Sequence, residues 1–331
     1  MMMLTPRGFP FYNRMKYQKP HAPLSQQVQT LASRGLIIDD QVSAEHYLSI
    51  IGYYRLSSYC YRFEDSPVEG KRSHKFLPGT SFQDIVRIYV FDQKLRSLML
   101  EALERFEIYA RSVWSHEMSA ILGSHPHMDS GNFSNQEEYF KSLVHLIEES
   151  KRAERNTEEI QHYSSSYSEP FLPPIWIIVS IMSFGELFRW IKNTKNQPVK
   201  NKVAKLLGMP NTQVFEGVSR VLTTVRNICA HHGRLWDRRL NTKLPYITKG
   251  LKVPMVSRQA TCGGDEAAPQ LFNVIVVLAH IMVWINSDSS WPKRIATLVS
   301  TNLNEREQKI MGFPKDWALN PFWGLNREKS L

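Results

Sequence analysis

Between Ser81 and His116 the apolar residues Ile85, Ile88, Tyr89, Leu95, Leu98, Met99, Ala102, Leu103, Phe106, Tyr109, Ala110 and Val113 recur at threes and fours. That is the period of one helix face, and a strand, with its period of two, does not satisfy it. Thr80 or Ser81 is placed to cap the start, with Asp84 three residues beyond Ser81 to complement the first turn. The spacing predicts one long helix, and no strand-rich region stands beside it. The fold class is read as all-α.

The flanking sequence divides around this helix. Residues 1–80 read as a small N-terminal helical unit: Leu24–Arg34 closed by Gly35, then Val42–Ile51 followed by Gly52, with Tyr53–Phe63 ambiguous. Gly70 and Pro78-Gly79 mark turns around the basic Lys71–Lys75 stretch. Residues 81–331 read as the main helical domain. Within it, 124–170 is polar and acidic and reads as an insertion holding helix fragments. Pro173-Pro174 introduces an apolar helix, Ile175–Ile191, that carries Ser183-Phe184-Gly185-Glu186. Shorter helices follow at Val199–Leu207, stopped by Gly208 and Pro210, and at Val214–His232, started by Asn211 or Thr212 and ended by Gly233. Thr242–Asp265 reads as a loop, Leu271–Asn286 as the last buried helix and Trp291–Thr301 as a shorter one.

Cys60, Cys229 and Cys262 lie far apart with no C-x-x-C spacing, which argues against a disulfide framework or a structural zinc site. No ligand cluster points to a metal or another cofactor. Met1–Lys19 lacks the long apolar run of a signal peptide, and Ile175–Phe184 and Leu271–Ile285 fall short of a bilayer span. The expected location is the cytoplasm, without membrane attachment.

The net charge of +10 is segregated. Residues 81–170 carry 9 Lys and Arg against 15 Asp and Glu, whereas 171–331 carry 22 against 10. Leu187–Arg258 alone holds 15 basic residues and two acids, Glu216 and Asp237. Such a concentration suits a polyanion, and Lys200, Lys202, Lys205 and Arg220 are candidates to bind it; a basic, solvated helical surface is the plainer alternative.

Chemistry concentrates in Val225–His232. At about 100° per residue, Val214, Val218, Val221, Leu222, Val225 and Cys229 form one buried stripe. Opposite fall Thr223, Asn227 and Ala230, flanked by Arg226 and His231, with Arg220 close by and Arg234 joining if the helical phase continues. From Gly217 to Leu235 there is no carboxylate. A permanent cation beside an imidazole suits a phosphodiester: Arg226 holds the phosphate, and His231 moves a proton. The reaction this supports is metal-free RNA cleavage by the adjacent 2′-hydroxyl. The competing reading is a basic pair capping a helix end, with His232 on the apolar side as a core histidine.

The chain resembles a known family through these same residues. Arg226-Asn227-Ile228-Cys229-Ala230-His231 fits the R-x4–6-H signature of HEPN-domain ribonucleases. Arg226–Trp236 is similar to the C-terminal block of Abi-like bacterial abortive-infection proteins of the AbiD/AbiF type. Gly52-Tyr53-Tyr54-Arg55-Leu56-Ser57, Phe76–Phe82, Tyr89–Arg96, Glu104–Glu107 with Arg111, Ser183-Phe184-Gly185 and Met311-Gly312-Phe313-Pro314 follow in the family's order. The resemblance implies a HEPN-type all-α bundle, often a homodimer in which Arg and His of two protomers form one ribonuclease site. It implies Arg226 and His231 as the catalytic pair, Asn227 in support, and His232 and Arg234 near the site. It further implies a toxin of anti-phage defence, which in relatives can be held inactive by a small-RNA antitoxin. The alternative is a non-catalytic RNA-binding HEPN protein of defence or regulation; a CAAX-type membrane protease lacks its Glu-Glu-x-x-x-Arg motif and a spanning helix here.

Two further groups have two readings each. Glu104, Glu107 and Arg111 share a face; Glu107 and Arg111 either orient Arg226 from behind or form an intrahelical ion pair in a packed role, which is favoured. Tyr53, Tyr54, Tyr59, Tyr61 and Phe63, with Arg55 and Arg62, either stack on bases or form the core of the N-terminal unit.

Overall fold

The computed structural model describes residues 20–65, 72–259 and 265–325. The lead Met1–Lys19, the turn residues Gly70 and Lys71, and Cys262 with Gly263 and Gly264 lie outside them. Helix dominates as expected, with one exception: β1 (Ser257–Gln259) and β2 (Asp265–Ala267) pair antiparallel inside the segment expected to be loop.

Two compact units divide the chain after Ile88. In the smaller, α1 (Leu24–Ser33), α2 (Gln41–Ile51) and α3 (Tyr53–Cys60) follow in sequence. The Asp40 side chain accepts the Ser43 N–H at 3.0 Å and so caps α2. Gly52, at φ +84, makes the turn into α3 in a conformation that costs glycine little. The ambiguous run is therefore helical, with Leu56, Tyr59 and Cys60 buried and Tyr54 left outside. Val28, Leu31, Ala44 and Leu48 complete this core.

α4 (Phe82–Leu122) runs 41 residues, past the expected end at His116. Its stripe does not stop at Val113: Trp114 and Met118 are buried as well, and Gly123 at φ +81 breaks the helix. Ser81 and Asp84 cap its start reciprocally, each side chain accepting the other's N–H at 3.2 and 3.0 Å.

The larger unit differs from the sequence reading in two places. The helix fragments expected in 124–170 include a sustained helix. The segment contains α5 (Gln136–Ala153), of 18 residues, and α6 (Glu158–Ser166). Tyr139, Ser142, Leu146 and Ser150 give α5 a buried stripe, and Tyr139 stacks on Phe133 and meets Trp190 edge-on. The Asn193 amide bonds both backbone groups of Asn135, at 2.7 and 2.9 Å. The α5 acids Glu137, Glu138, Glu148 and Glu149 lie off the buried stripe. Secondly, Ile175–Ile191 is not one helix. α7 (Ile175–Ile178) and a 3₁₀ turn end at Met182, which is extended, and α8 (Phe184–Asn193) begins anew under a Ser183–Glu186 capping box. The Arg111 guanidinium donates to the carbonyls of Val179 and Met182 that the break leaves over, at 2.9 and 2.7 Å.

α9 (Gln197–Leu206), α10 (Thr212–Ala230), α11 (Leu271–Ile285), α12 (Trp291–Asn302) and α13 (Glu305–Ile310) complete the order. α11 is buried over most of its length, and its polar residues are satisfied. The buried Asn273 amide bonds the N–H and C=O of Val256, each at 2.8 Å, and the Ala268 carbonyl at 3.0 Å. Among the described residues no helix is long and apolar enough to cross a membrane.

His127 is fully buried, and burial first, then the neighbouring His125, lowers its pKa from 6.5 to about 3. The folded chain thus holds this ring neutral where the unfolded chain protonates it. The resulting stability is complete above pH 6.5 and is lost as pH falls toward 3. Acidification from pH 7 to 5 is expected to cost about 2 kcal/mol through this residue. Urea unfolding of His127→Phe should show a correspondingly flatter pH dependence; an unchanged slope would assign the acid sensitivity elsewhere.

Candidate active site

α10 carries the residues singled out from the sequence. Asn211 caps it by accepting the Val214 N–H at 2.9 Å. Phe215, Val218, Val221, Leu222, Val225 and Cys229 are buried, while Val214 is only half-buried. Gly217 is required by close approach: a Cβ there would lie 2.3 Å from Pro245, so the loop after the site presses directly on this helix.

The helix stops at Ala230, two residues earlier than the periodicity suggests. His231 is the last residue to keep the pattern, its N–H donating to the Asn227 carbonyl at 3.0 Å. His232 adopts the left-handed conformation at φ +56, the position glycine usually takes. Its N–H donates to Cys229, and that of Gly233 to Ile228 at 2.7 Å, which closes a Schellman turn. A Cβ at Gly233 would be tight, 3.2 Å from the Ile228 carbonyl. His232 is consequently an exposed turn residue, not a core histidine.

The turn is held by α4. Asp92 is fully buried and accepts the Leu235 N–H at 3.1 Å and the Trp236 N–H at 2.7 Å. Its carboxylate also pairs with Arg96, one turn along the same helix and nearly as buried. Neither residue was singled out above. The available signal was a charged pair, at i and i+4, sitting between Ile88 and Met99 on a stripe otherwise apolar. Beside this pair, burial first and then the Asp92 charge push the Cys229 thiol up to about 12, so it is no nucleophile at neutral pH.

The named residues separate into two sets. Arg226, Asn227 and His231 lie in the last turns of α10 and at its C-cap, Arg226 half-buried and the other two exposed, and Arg226 donates to the Asn227 Oδ1 at 3.4 Å. Arg234 does not continue their face, because the chain has turned; it pairs with the buried Asp237 at 3.0 Å. Glu107 pairs with Arg111 at 2.6 Å, and Arg111 is engaged with Val179 and Met182 rather than with Arg226. The packed reading of that pair is the observed one.

The basic residues are also unequal. Lys202 pairs with the buried Glu117 at 2.7 Å, and Lys200, mostly covered, lies 3.8 Å from Glu216. Lys205 and Arg220 are exposed. Arg220 lines a groove of about 360 Å³ between α8 and α10, shared with Arg189, Lys192 and Thr223. The hydroxyl of Ser219, another lining residue, is buried without a partner among the described residues. The sequence reading missed Arg189 and Lys192 as partners of Arg220 because they lie on a different helix.

A family model described as "Abi-like protein" matches residues 46–237, more than half of the chain and all of α10 with its closing turn. No curated protein and no solved structure gives a match.

Removing the Asp92 carboxylate leaves Arg96 buried without its counter-charge and two backbone N–H groups without an acceptor. Asp92→Ala is expected to lower unfolding free energy by about 3–5 kcal/mol, measured by denaturant titration. The double variant Asp92→Leu, Arg96→Met should recover part of that loss. A cost below about 1 kcal/mol, typical of an exposed pair, would show that the clamp does not hold the turn.

Proposed function

The chain belongs to the Abi-like protein family, and on that premise we propose that it serves bacterial abortive infection as a metal-independent HEPN-type endoribonuclease. The observation that carries this reading is the exposed end of α10, where Arg226, Asn227 and His231 stand without a carboxylate from Gly217 to Trp236. An arginine, an amide and an imidazole make a poor ligand set for a hard divalent cation and a good one for a phosphodiester.

The step needs only these groups. A neutral imidazole takes the proton of the 2′-hydroxyl, and that oxygen forms a bond to the adjacent phosphorus. The bond from phosphorus to the 5′-oxygen breaks, and an imidazolium returns a proton to it. Products are a 2′,3′-cyclic phosphate and a 5′-hydroxyl. Arg226 stabilises the charge that builds on the non-bridging oxygens. Within one helix Arg226 and His231 diverge by about 140° and are offset by about 7.5 Å along the axis. Two copies related by a two-fold axis supply an Arg and a His from each side, which also accounts for separate base and acid. The basic groove lined by Arg189, Lys192 and Arg220 suits the flanking strand, and a small RNA bound there suits a restraint on the toxin.

Arg226→Ala and His231→Ala are each expected to reduce cleavage by about 10²–10⁴-fold and to relieve growth arrest on overexpression, with the fold retained. Cleavage should survive EDTA. Mixing the two variants should restore a fraction of activity through heterodimers. Toxicity equal to the parent's in either variant would reject the site, and RNA bound tightly without any cleavage would favour a binding protein. In RNA titrations, log K against log salt should fall by about 0.7 for each phosphate contacted, so Arg220→Gln and Arg189→Gln should each flatten the slope by about that amount.

A further inference from the structure

The smaller unit contains a cavity that none of this chemistry uses. It encloses about 760 Å³ beside α1 and α3, within the range of sites that hold small organic molecules. Tyr53 and Tyr54 line it from α3, their rings 5.8 Å apart and at 89°. Tyr54 is 75% exposed, although its neighbours Leu56 and Tyr59 on the same helix are buried. The core reading therefore explains Tyr59 and leaves Tyr54 without a packing role.

The charges on the wall are also unequal. Arg72 is neutralised by the buried Glu64, which accepts two hydrogen bonds from it at 2.5 Å each. Arg34 has no such partner among the described residues; its guanidinium donates to the Tyr53 hydroxyl at 2.9 Å. His74 lines the same cavity, is exposed, and holds a left-handed backbone at φ +57 that non-glycine residues rarely keep. Gln27 spends its amide N–H on the Ala22 carbonyl, and its buried Oε1 lacks a donor among the described residues. The wall thus offers an open aromatic face, an uncompensated cation with a histidine, and an unmet acceptor. Cys60 lines it too, but burial pushes its thiol up to about 12, so the cavity is equipped to bind and not to react covalently.

We propose that this cavity binds a nucleotide, its base stacked on Tyr54 and its phosphate held by Arg34 and His74. A base alone leaves Arg34 and His74 unused, and a bare phosphate leaves the tyrosine face and most of the volume unfilled. An exocyclic amine, as on adenine or cytosine, supplies the donor that Gln27 lacks. The nucleotide can arrive free or as an unpaired residue of an RNA strand.

Calorimetric titration of the full chain with 5′-AMP, adenosine, ribose 5-phosphate and a short oligoadenylate tests this. AMP or the oligoadenylate is expected to saturate, with adenosine and ribose 5-phosphate each at least about tenfold weaker than AMP. Tyr54→Ala and Arg34→Gln should each weaken binding about tenfold, and Tyr54→Phe should not. His74→Asn, which tolerates the left-handed backbone, keeps the fold and should also weaken binding. Tighter binding of AMP identifies a free nucleotide, and tighter binding of the oligoadenylate a strand; both support the site. His231→Ala is expected to leave these affinities unchanged, which separates this site from the cleavage chemistry. No saturation by either probe below about 1 mM, or affinities unmoved in Tyr54→Ala, Arg34→Gln and His74→Asn alike, would overturn the proposal.

Discussion

The Asp92 carboxylate is the interaction on which the larger unit depends. A buried charge is tolerated only when paired and hydrogen-bonded, and this one is met by Arg96 from its own helix and by two backbone N–H groups from the turn after α10. The arrangement satisfies donors that the end of the preceding turn would otherwise bury unmet. It also ties residues 143 apart in sequence. The long helix thereby acts as the frame against which the end of α10 is set, and Leu235 and Trp236 are drawn fully inside. His231 stays exposed and Arg226 half-buried beside them.

That geometry explains why the basic end of α10 stays available. Arg234, the next cation along, is compensated by the buried Asp237, whereas Arg238 and Arg239 after it are exposed. The left-handed residue falls on His232 instead of Gly233. Arg226, in the last turns of α10, is also favoured by the helix dipole.

Much of the fold was legible because helices announce themselves by period. The stripe of α10, the starts of α4 and α10, and the burial of α11 follow from residue spacing and capping chemistry alone. The failures have definite causes. The apolar period continues smoothly across Met182, and only the reciprocal pairing of Ser183 with Glu186, aided by a distant Arg111, cuts the helix there. α5 was obscured because its inward face is small and partly polar, with Ser142 and Ser150 beside Tyr139 and Leu146. In the site, Arg226, Asn227 and His231 could be grouped from one helix wheel. Their clamp could not, as Asp92 contributes from elsewhere in the chain and its role is visible only in three dimensions.

The Asn273 amide, buried in α11 and bonded to both backbone groups of Val256, has a further consequence for motion. From Thr242 to Val256 the chain forms no helix or strand, yet at Val256 it is moored to one of the most buried helices of the protein. The segment before that mooring can open and close without it, whereas releasing Val256 requires exposing an amide from inside the core. In exchange with heavy water, the Val256 amide should therefore belong to the slowest, globally opening class, isolated among fast-exchanging neighbours in the same loop.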